Sequence, residues 1–133
     1  MEIKIFIDGL NRDKARGEIA PHQIILLATL FRLYNKTKNT KINVEELINE
    51  FNDVWERNKM KFHSRNNNIG LPLKVFEKNE YINIKHKDPE NQIEDYRNIN
   101  NLKSNIDSLN IDNFLIQLFK IENCSETAIL THI

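Results

Sequence analysis

The sequence predicts a mainly α-helical domain with one β-hairpin, a winged-helix-like core followed by C-terminal helices. Three observations carry this. Several segments repeat apolar residues at helical spacing behind recognisable caps. Two short segments alternate with period two across a polar turn. And 133 residues, 40% hydrophobic and 29% charged, fit one domain able to bury its own core. Residues 1–90 are expected to form the winged-helix-like core and residues 91–133 a helical cap, all within a single domain.

In chain order, Ile3, Phe6, Ile7 and Leu10 follow helical spacing, whereas Ile3, Ile5 and Ile7 alternate like a strand. A helix ending before Gly17 is the favoured reading, with the polar stretch from Asn11 to Glu18 as a loop. Pro21 suits a first helical turn, where its missing N–H costs nothing. The helix it opens, to about Tyr34, is apolar on most sides (Ile24, Ile25, Leu26, Leu27, Ala28, Leu30, Phe31, Leu33), as a buried central helix must be. Asn35 to Lys41 reads as a polar, basic loop. Asn43 is a good N-cap with Glu46 at the capping-box position, and Val44, Leu47, Ile48, Phe51, Val54 and Trp55 form an apolar stripe. The opposite face of that helix carries Glu45, Glu46, Glu50, Asp53 and Glu56.

After it the charge reverses through Arg57, Lys59, Lys61, His63 and Arg65. Asn66 to Gly70 is a loop and Pro72 opens the expected hairpin. Leu73 and Val75 share a face of its first strand, Lys78-Asn79-Glu80 supply the turn, and Ile82 and Ile84 share a face of the second. Its other face would present Lys74, Phe76, Tyr81, Asn83 and Lys85. Beyond the break at Asp88-Pro89-Glu90-Asn91, three short helices are expected. One carries Ile99, Leu102 and Ile106. Another carries Phe114, Leu115, Leu118 and Phe119 behind Asn110 or Asp112. The last carries Ala128, Ile129 and Leu130 behind Ser125.

Composition bounds the chemistry. Lysine plus arginine and aspartate plus glutamate are both 19, so the formal net charge is zero, and nucleic-acid binding requires the positive charge to gather on one face. Cys124 is the only cysteine, which excludes an internal disulfide and a cysteine-cluster zinc site and points to a reducing cytoplasm. No apolar run is long enough to span a bilayer and no signal-peptide pattern opens the chain, so no membrane partner is expected. His22, His63, His86 and His132 lack metal-site spacing, and His63 with Asn66 and Asn67 lacks the rest of a nuclease metal finger. Gly9, Gly17 and Gly70 stand apart from any phosphate loop, and the Glu46/Glu50 pair lies on a solvated face. No cofactor, metal or catalytic residue is expected, and the chain reads as a binding protein and not an enzyme.

The basic run from Arg57 to Arg65, beside a hairpin face that mixes lysines with aromatics, is the strongest local signal. Lysines contact phosphates and aromatic rings stack on bases or lie along sugars. The helix from Val44 to Glu56 has an acidic outer face that would repel phosphates. DNA is therefore expected to meet the hairpin, the Arg57–Arg65 stretch and the Arg12–Arg16 loop.

The segment Arg16-Gly17-Glu18-Ile19-Ala20-Pro21-His22-Gln23-Ile24-Ile25-Leu26-Leu27 resembles the Arg/Gly, Ala-Pro-His-Lys-Pro, leucine-rich opening of the sulfur-binding domain of McrA-type HNH restriction endonucleases. The segment Leu71-Pro72-Leu73-Lys74-Val75-Phe76-Glu77-Lys78-Asn79-Glu80-Tyr81-Ile82 is similar to that family's Pro-Phe, Leu-Arg-x-Asp-Gly-Phe-Trp hairpin. Ile111-Asp112-Asn113-Phe114-Leu115 through Ile129-Leu130 resembles its closing helices. Gln23 and Ile24 stand where the family has lysine and proline, and Glu77 where it has the wing arginine. Asn79-Glu80-Tyr81-Ile82 replaces Asp-Gly-Phe-Trp.

The resemblance implies recognition of phosphorothioate DNA by a small apolar pocket flanked by cations, with Arg16, Pro21, His22, Pro72 and Tyr81 at matching positions. These 133 residues match only the recognition domain of that family, so recognition without cleavage by this chain is expected. The expected function is a DNA-recognition or accessory module of a bacterial or phage defence system, with Arg16, His22, Arg65, Lys74, Lys78 and Tyr81 contacting the DNA. A separately encoded nuclease or ATPase subunit is the expected protein partner. The alternative is a protein–protein adaptor that keeps the fold and has lost the nucleic acid.

Overall fold

A computed structural model describes residues 1–133 except Arg16, Asn91, Gln92 and Glu94, and describes Ala15 by its backbone alone. At the N-terminus, helical spacing prevails over alternation. Helix α1 (Ile3–Asp8) buries Ile3, Phe6 and Ile7 and leaves Ile5 58% exposed. A helix satisfies its own backbone groups, whereas an isolated strand would need a neighbouring edge. The stretch expected as a loop contains a minimal hairpin, β1 (Lys14–Ala15) paired with β2 (Glu18–Ile19). Gly17 turns it with φ +77°, a conformation that only glycine adopts without strain.

Helix α2 (His22–Thr37) is the central element, fully buried from Ile24 through Leu30. It continues three residues past the expected end at Tyr34. Lys38, left-handed at φ 57°, stops it by donating its N–H to the Tyr34 carbonyl. Strand β3 (Lys41–Asn43), not anticipated, leads directly into α3 (Val44–Asn58). There the Asn43 Oδ1 accepts the N–H groups of Glu45 and Glu46, the cap read from the sequence, and the expected apolar stripe is the buried face.

A turn of 3₁₀ helix (Lys59–Lys61) and a loop carry the chain to α4 (Gly70–Lys78), where the structure corrects the sequence. Leu73 to Val75 is helix, not the first strand of a hairpin. Ile69, Pro72, Leu73 and Phe76 are buried at helical spacing, and Pro72 occupies the first turn. The Leu73/Val75 alternation spans too few residues to distinguish the two periods. The supposed turn is the end of this helix. Glu80 is left-handed at φ 61°, its N–H reaches the Glu77 carbonyl, and the Tyr81 N–H reaches that of Phe76. This is a Schellman closure with glutamate where glycine is usual.

The hairpin exists, but one element later. β4 (Ile82–His86) pairs antiparallel with β5 (Ile106–Ile111), and β5 pairs antiparallel with β3, giving the order β3-β5-β4. The connection from β4 to β5 contains α5 (Ile99–Asn105). Ile106 therefore begins the central strand and does not complete a helical stripe. The segment expected as a purely helical cap supplies the middle of the sheet. Two short helices close the chain as read. In α6 (Asn113–Phe119) the Asp112 carboxylate accepts the Phe114 N–H, and in α7 (Glu126–Leu130) the Ser125 hydroxyl accepts the Ala128 N–H. Half-buried Arg32 on α2 binds Glu50 of α3 at 2.6 Å and Glu126 of α7 at 3.2 Å, tying three helices together. Mainly α with a small antiparallel sheet describes the chain. Among the described residues no helix is long and apolar enough to cross a membrane.

Candidate nucleic-acid interface

Helix α4 lays its apolar side on the core and turns Leu71, Lys74 and Lys78 outward, on one stripe at helical spacing. Its first turn is crossed by the β4–β5 connection. A Cβ on Gly70 would stand 1.5 Å from the Tyr96 carbonyl oxygen, so the two backbones meet at a distance only glycine permits. Asn68 secures the crossing on both sides. Its Oδ1 accepts the Gly70 N–H at 2.7 Å, and its Nδ2 donates to the Arg97 carbonyl. The Tyr96 hydroxyl donates to Glu77 Oε1 at 2.8 Å, and the Lys74 ammonium lies 5.5 Å from the centre of the Tyr96 ring. Burial, with the Glu77 carboxylate, pushes the Tyr96 phenol well above its ordinary pKa, so it stays protonated and keeps that bond. Arg97 is thereby held exposed beside Lys74.

The start of α2 forms the other wall. His22 Nε2 lies 2.5 Å from the Asn66 carbonyl oxygen, which can only accept, so this nitrogen carries the proton and donates. The ring packs 4.9 Å from that of Trp55. Burial lowers the His22 pKa, outweighing the Asn66 carbonyl and Asp13, so the side chain is neutral near pH 7. It is a post that fixes the loop before α4, not a cation for phosphate.

Three adjoining cavities run along this face. The first, about 550 Å³, lies between α4 and the β4–β5 connection, with Lys74, Glu77, Tyr96 and Arg97 in its walls. The second, about 190 Å³, shares Leu71 and Arg97 with it and is floored by Ala20, Pro72 and Val75. The third, about 650 Å³, shares His22 and Asn66 with the second and ends at His63 and Arg65. Acids occur along all three, but several already accept bonds from the protein. Glu77 holds the Tyr96 hydroxyl, Asp95 the Arg97 N–H at 2.9 Å, and Glu18 the His63 N–H at 2.8 Å. Among the described residues Arg65, Lys74, Lys78 and Arg97 form no ion pair.

The sequence-predicted residues therefore divide. His22, Arg65 and Lys74 line the groove, and Lys78 extends the Lys74 stripe, on a helix and not on a hairpin. Tyr81 is corrected. It follows the Schellman turn and is half-buried, its ring against Phe6, Phe76 and Phe114 at centroid distances of 5.1, 5.5 and 5.9 Å, in an aromatic cluster outside the lining of the three cavities. Phe76, expected beside it on an outer face, is fully buried. Arg16 lies outside the described residues. Within the basic run, Arg57 binds Asp53 and Lys59 binds Glu56. In the Arg12–Arg16 loop, Arg12 donates inward to the carbonyls of Ala20 and His132 and has its pKa lowered by burial. Sequence reasoning missed Tyr96 and Arg97. The only signal was an adjacent aromatic and cation beyond a Pro89 break, in a segment read as helical.

Elsewhere, half-buried Cys124 has its pKa pushed up to about 11 by burial, which disfavours the reactive thiolate. No group of three or more metal-ligating side chains forms among the described residues. No protein-family model matches the chain, and no curated protein matches it significantly.

Proposed function

We propose that this chain is a non-catalytic DNA-recognition or accessory module, with duplex DNA lying against the outer stripe of α4 and flanked by Arg97 and Arg65. One observation carries the reading. Around α4, Arg65, Lys74, Lys78 and Arg97 gather without an ion pair among the described residues, whereas the outer face of α3 carries Glu45, Glu46, Glu50, Asp53 and Glu56. A local gathering of unpaired cations is what a protein of zero net charge needs to hold a polyanion. The order α2-β3-α3-α4-β4-α5-β5 and the sheet order β3-β5-β4 support a winged-helix reading, with α4 as the groove-facing helix and the β4–β5 connection, which contains α5, as the wing. The apolar floor of the second cavity, with Arg97 at its edge, has the character that a sulfur-substituted phosphate requires. That supports the resemblance to phosphorothioate readers. A cytoplasmic defence system with a separately encoded nuclease or ATPase is the setting proposed for such a module.

A filter-binding titration against plain and phosphorothioate duplexes tests this. Binding that weakens as salt rises, and tightens with sulfur, is the expected result. A protein–protein adaptor is the second reading, favoured by exposed Glu45 and Glu46 on α3, which form no ion pair among the described residues. An adaptor binds neither duplex.

A further inference from the structure

The first cavity lies beside the stripe of α4 that faces a duplex in the proposal above and shares Leu71 and Lys74 with it. It measures about 550 Å³, inside the range of pockets that enclose small ligands. Its walls combine an aromatic ring, two cations and two carboxylates: Tyr96, Lys74 and Arg97, with Glu77 and Asp95. The ring is immobilised. Its hydroxyl is bonded to Glu77 and its backbone is pressed on Gly70. A fixed, half-exposed ring is a stacking surface that loses little conformational entropy on binding.

We propose that this cavity receives a single unpaired nucleobase, stacked on Tyr96, with the adjoining phosphates at Lys74 and Arg97, and that it prefers guanine. This deepens the DNA-recognition reading and rests on it. Lys74 covers the ring at 5.5 Å in the free protein, and its flexible stem lets the ammonium move to a phosphate as the base takes its place. The base preference follows from the carboxylates. Glu77 and Asp95 each give one oxygen to a bond within the protein and keep another free to accept. The N1–H and N2–H groups of guanine are adjacent donors on one edge and match a carboxylate. Thymine offers a single N–H between two carbonyls, which carboxylates repel.

The test is fluorescence anisotropy with the full chain and four labelled DNAs: dT9, the same strand with a central guanine, and a duplex of 20 base pairs with and without one unpaired guanine. The guanine strand should bind about tenfold tighter than dT9, the order expected of its added hydrogen bonds to the carboxylates, and the bulged duplex about tenfold tighter than its control, within the range of one stacked base. Tyr96→Ala should abolish both preferences, Tyr96→Phe should keep them, and Asp95→Asn should reduce them. Tyr96→Phe also controls for folding, because it loses only the hydroxyl. Equal affinity for the two strands, or preferences that persist in folded Tyr96→Ala, would overturn the inference. A plain duplex bound through Lys74 and Lys78 without any bulge preference overturns this inference alone. A guanine strand bound when the plain duplex is not overturns the duplex reading alone.

Discussion

Helices α3 and α4 are built alike inside and unlike outside. Each turns an apolar stripe to the core, with Phe51 and Phe76 both fully buried. Outside, α3 presents Glu45, Glu46 and Glu56, whereas α4 presents Leu71, Lys74 and Lys78. Their ends differ too. α3 starts from an asparagine cap in open solvent, and α4 starts under a crossing segment that only Gly70 admits. The inner faces are governed by the same hydrophobic term and carry stability. The outer faces cost folding little to change, so their opposite charges are where a binding function can be written.

The largest effects should show that the inner faces are equivalent. Phe51→Ala and Phe76→Ala are each expected to cost about 3–5 kcal/mol, read as a lower urea midpoint at unchanged slope. A loss confined to one of them would mean that the two helices do not share a core. Next comes the crossing. Gly70→Ala must push the Tyr96 backbone away and should cost about 1–3 kcal/mol. Gly9→Ala, whose nearest contacts would be 3.5 Å, should be within about 0.5 kcal/mol of neutral. Equal behaviour of the two glycines would remove the close approach from the argument.

Charge reversal sharpens the outer comparison. Lys74→Glu with Lys78→Glu should leave the thermal midpoint nearly unchanged, weaken duplex binding by at least about tenfold, and flatten its log–log salt slope by about two. Glu45→Lys with Glu46→Lys should leave binding intact or strengthen it. If affinity and salt slope are unchanged in the α4 variant, α4 is not the contact.

The smallest effect is a titration. The folded pKa of His22 is lowered from 6.5 by burial, so as pH falls the unfolded chain takes up its proton first. The stability contribution is complete above the unfolded pKa and declines as pH drops below it toward the folded value. Stability should therefore fall as the pH drops below 6.5, less steeply in His22→Leu. Emission of Trp55, the single tryptophan, should report the step through its contact with the imidazole, with a midpoint below 6.5. A midpoint above that value would contradict the burial argument.

Legibility followed the length and locality of each signal. The α3 cap and stripe, the Asp112 and Ser125 caps and the apolar α2 were readable because each interaction lies within a few residues of itself. The strand reading of Leu73–Val75 failed because helix and strand periods coincide over three residues, and the Schellman closure at Glu80 mimics a hairpin turn. β3 and β5 were invisible because they pair across more than sixty residues, with polar Asn43, Ser108 and Asn110 in the registered positions. Half of the candidate site was legible as exposed cations. Arg97 was not, because its placement depends on Gly70 and Asn68, far from it in sequence.

The sequence by itself determined the helical class, the buried central helix, three of the caps and the zero charge balance. These depend on composition and on spacings within a few turns. Only the tertiary structure decided which cations stay free, which rings are spent in the core, and that Tyr96 and Arg97 close on α4. Those outcomes turn on contacts between distant segments, where one glycine without a Cβ and one asparagine with two hydrogen-bonding ends select a single crossing from the many the chain could make.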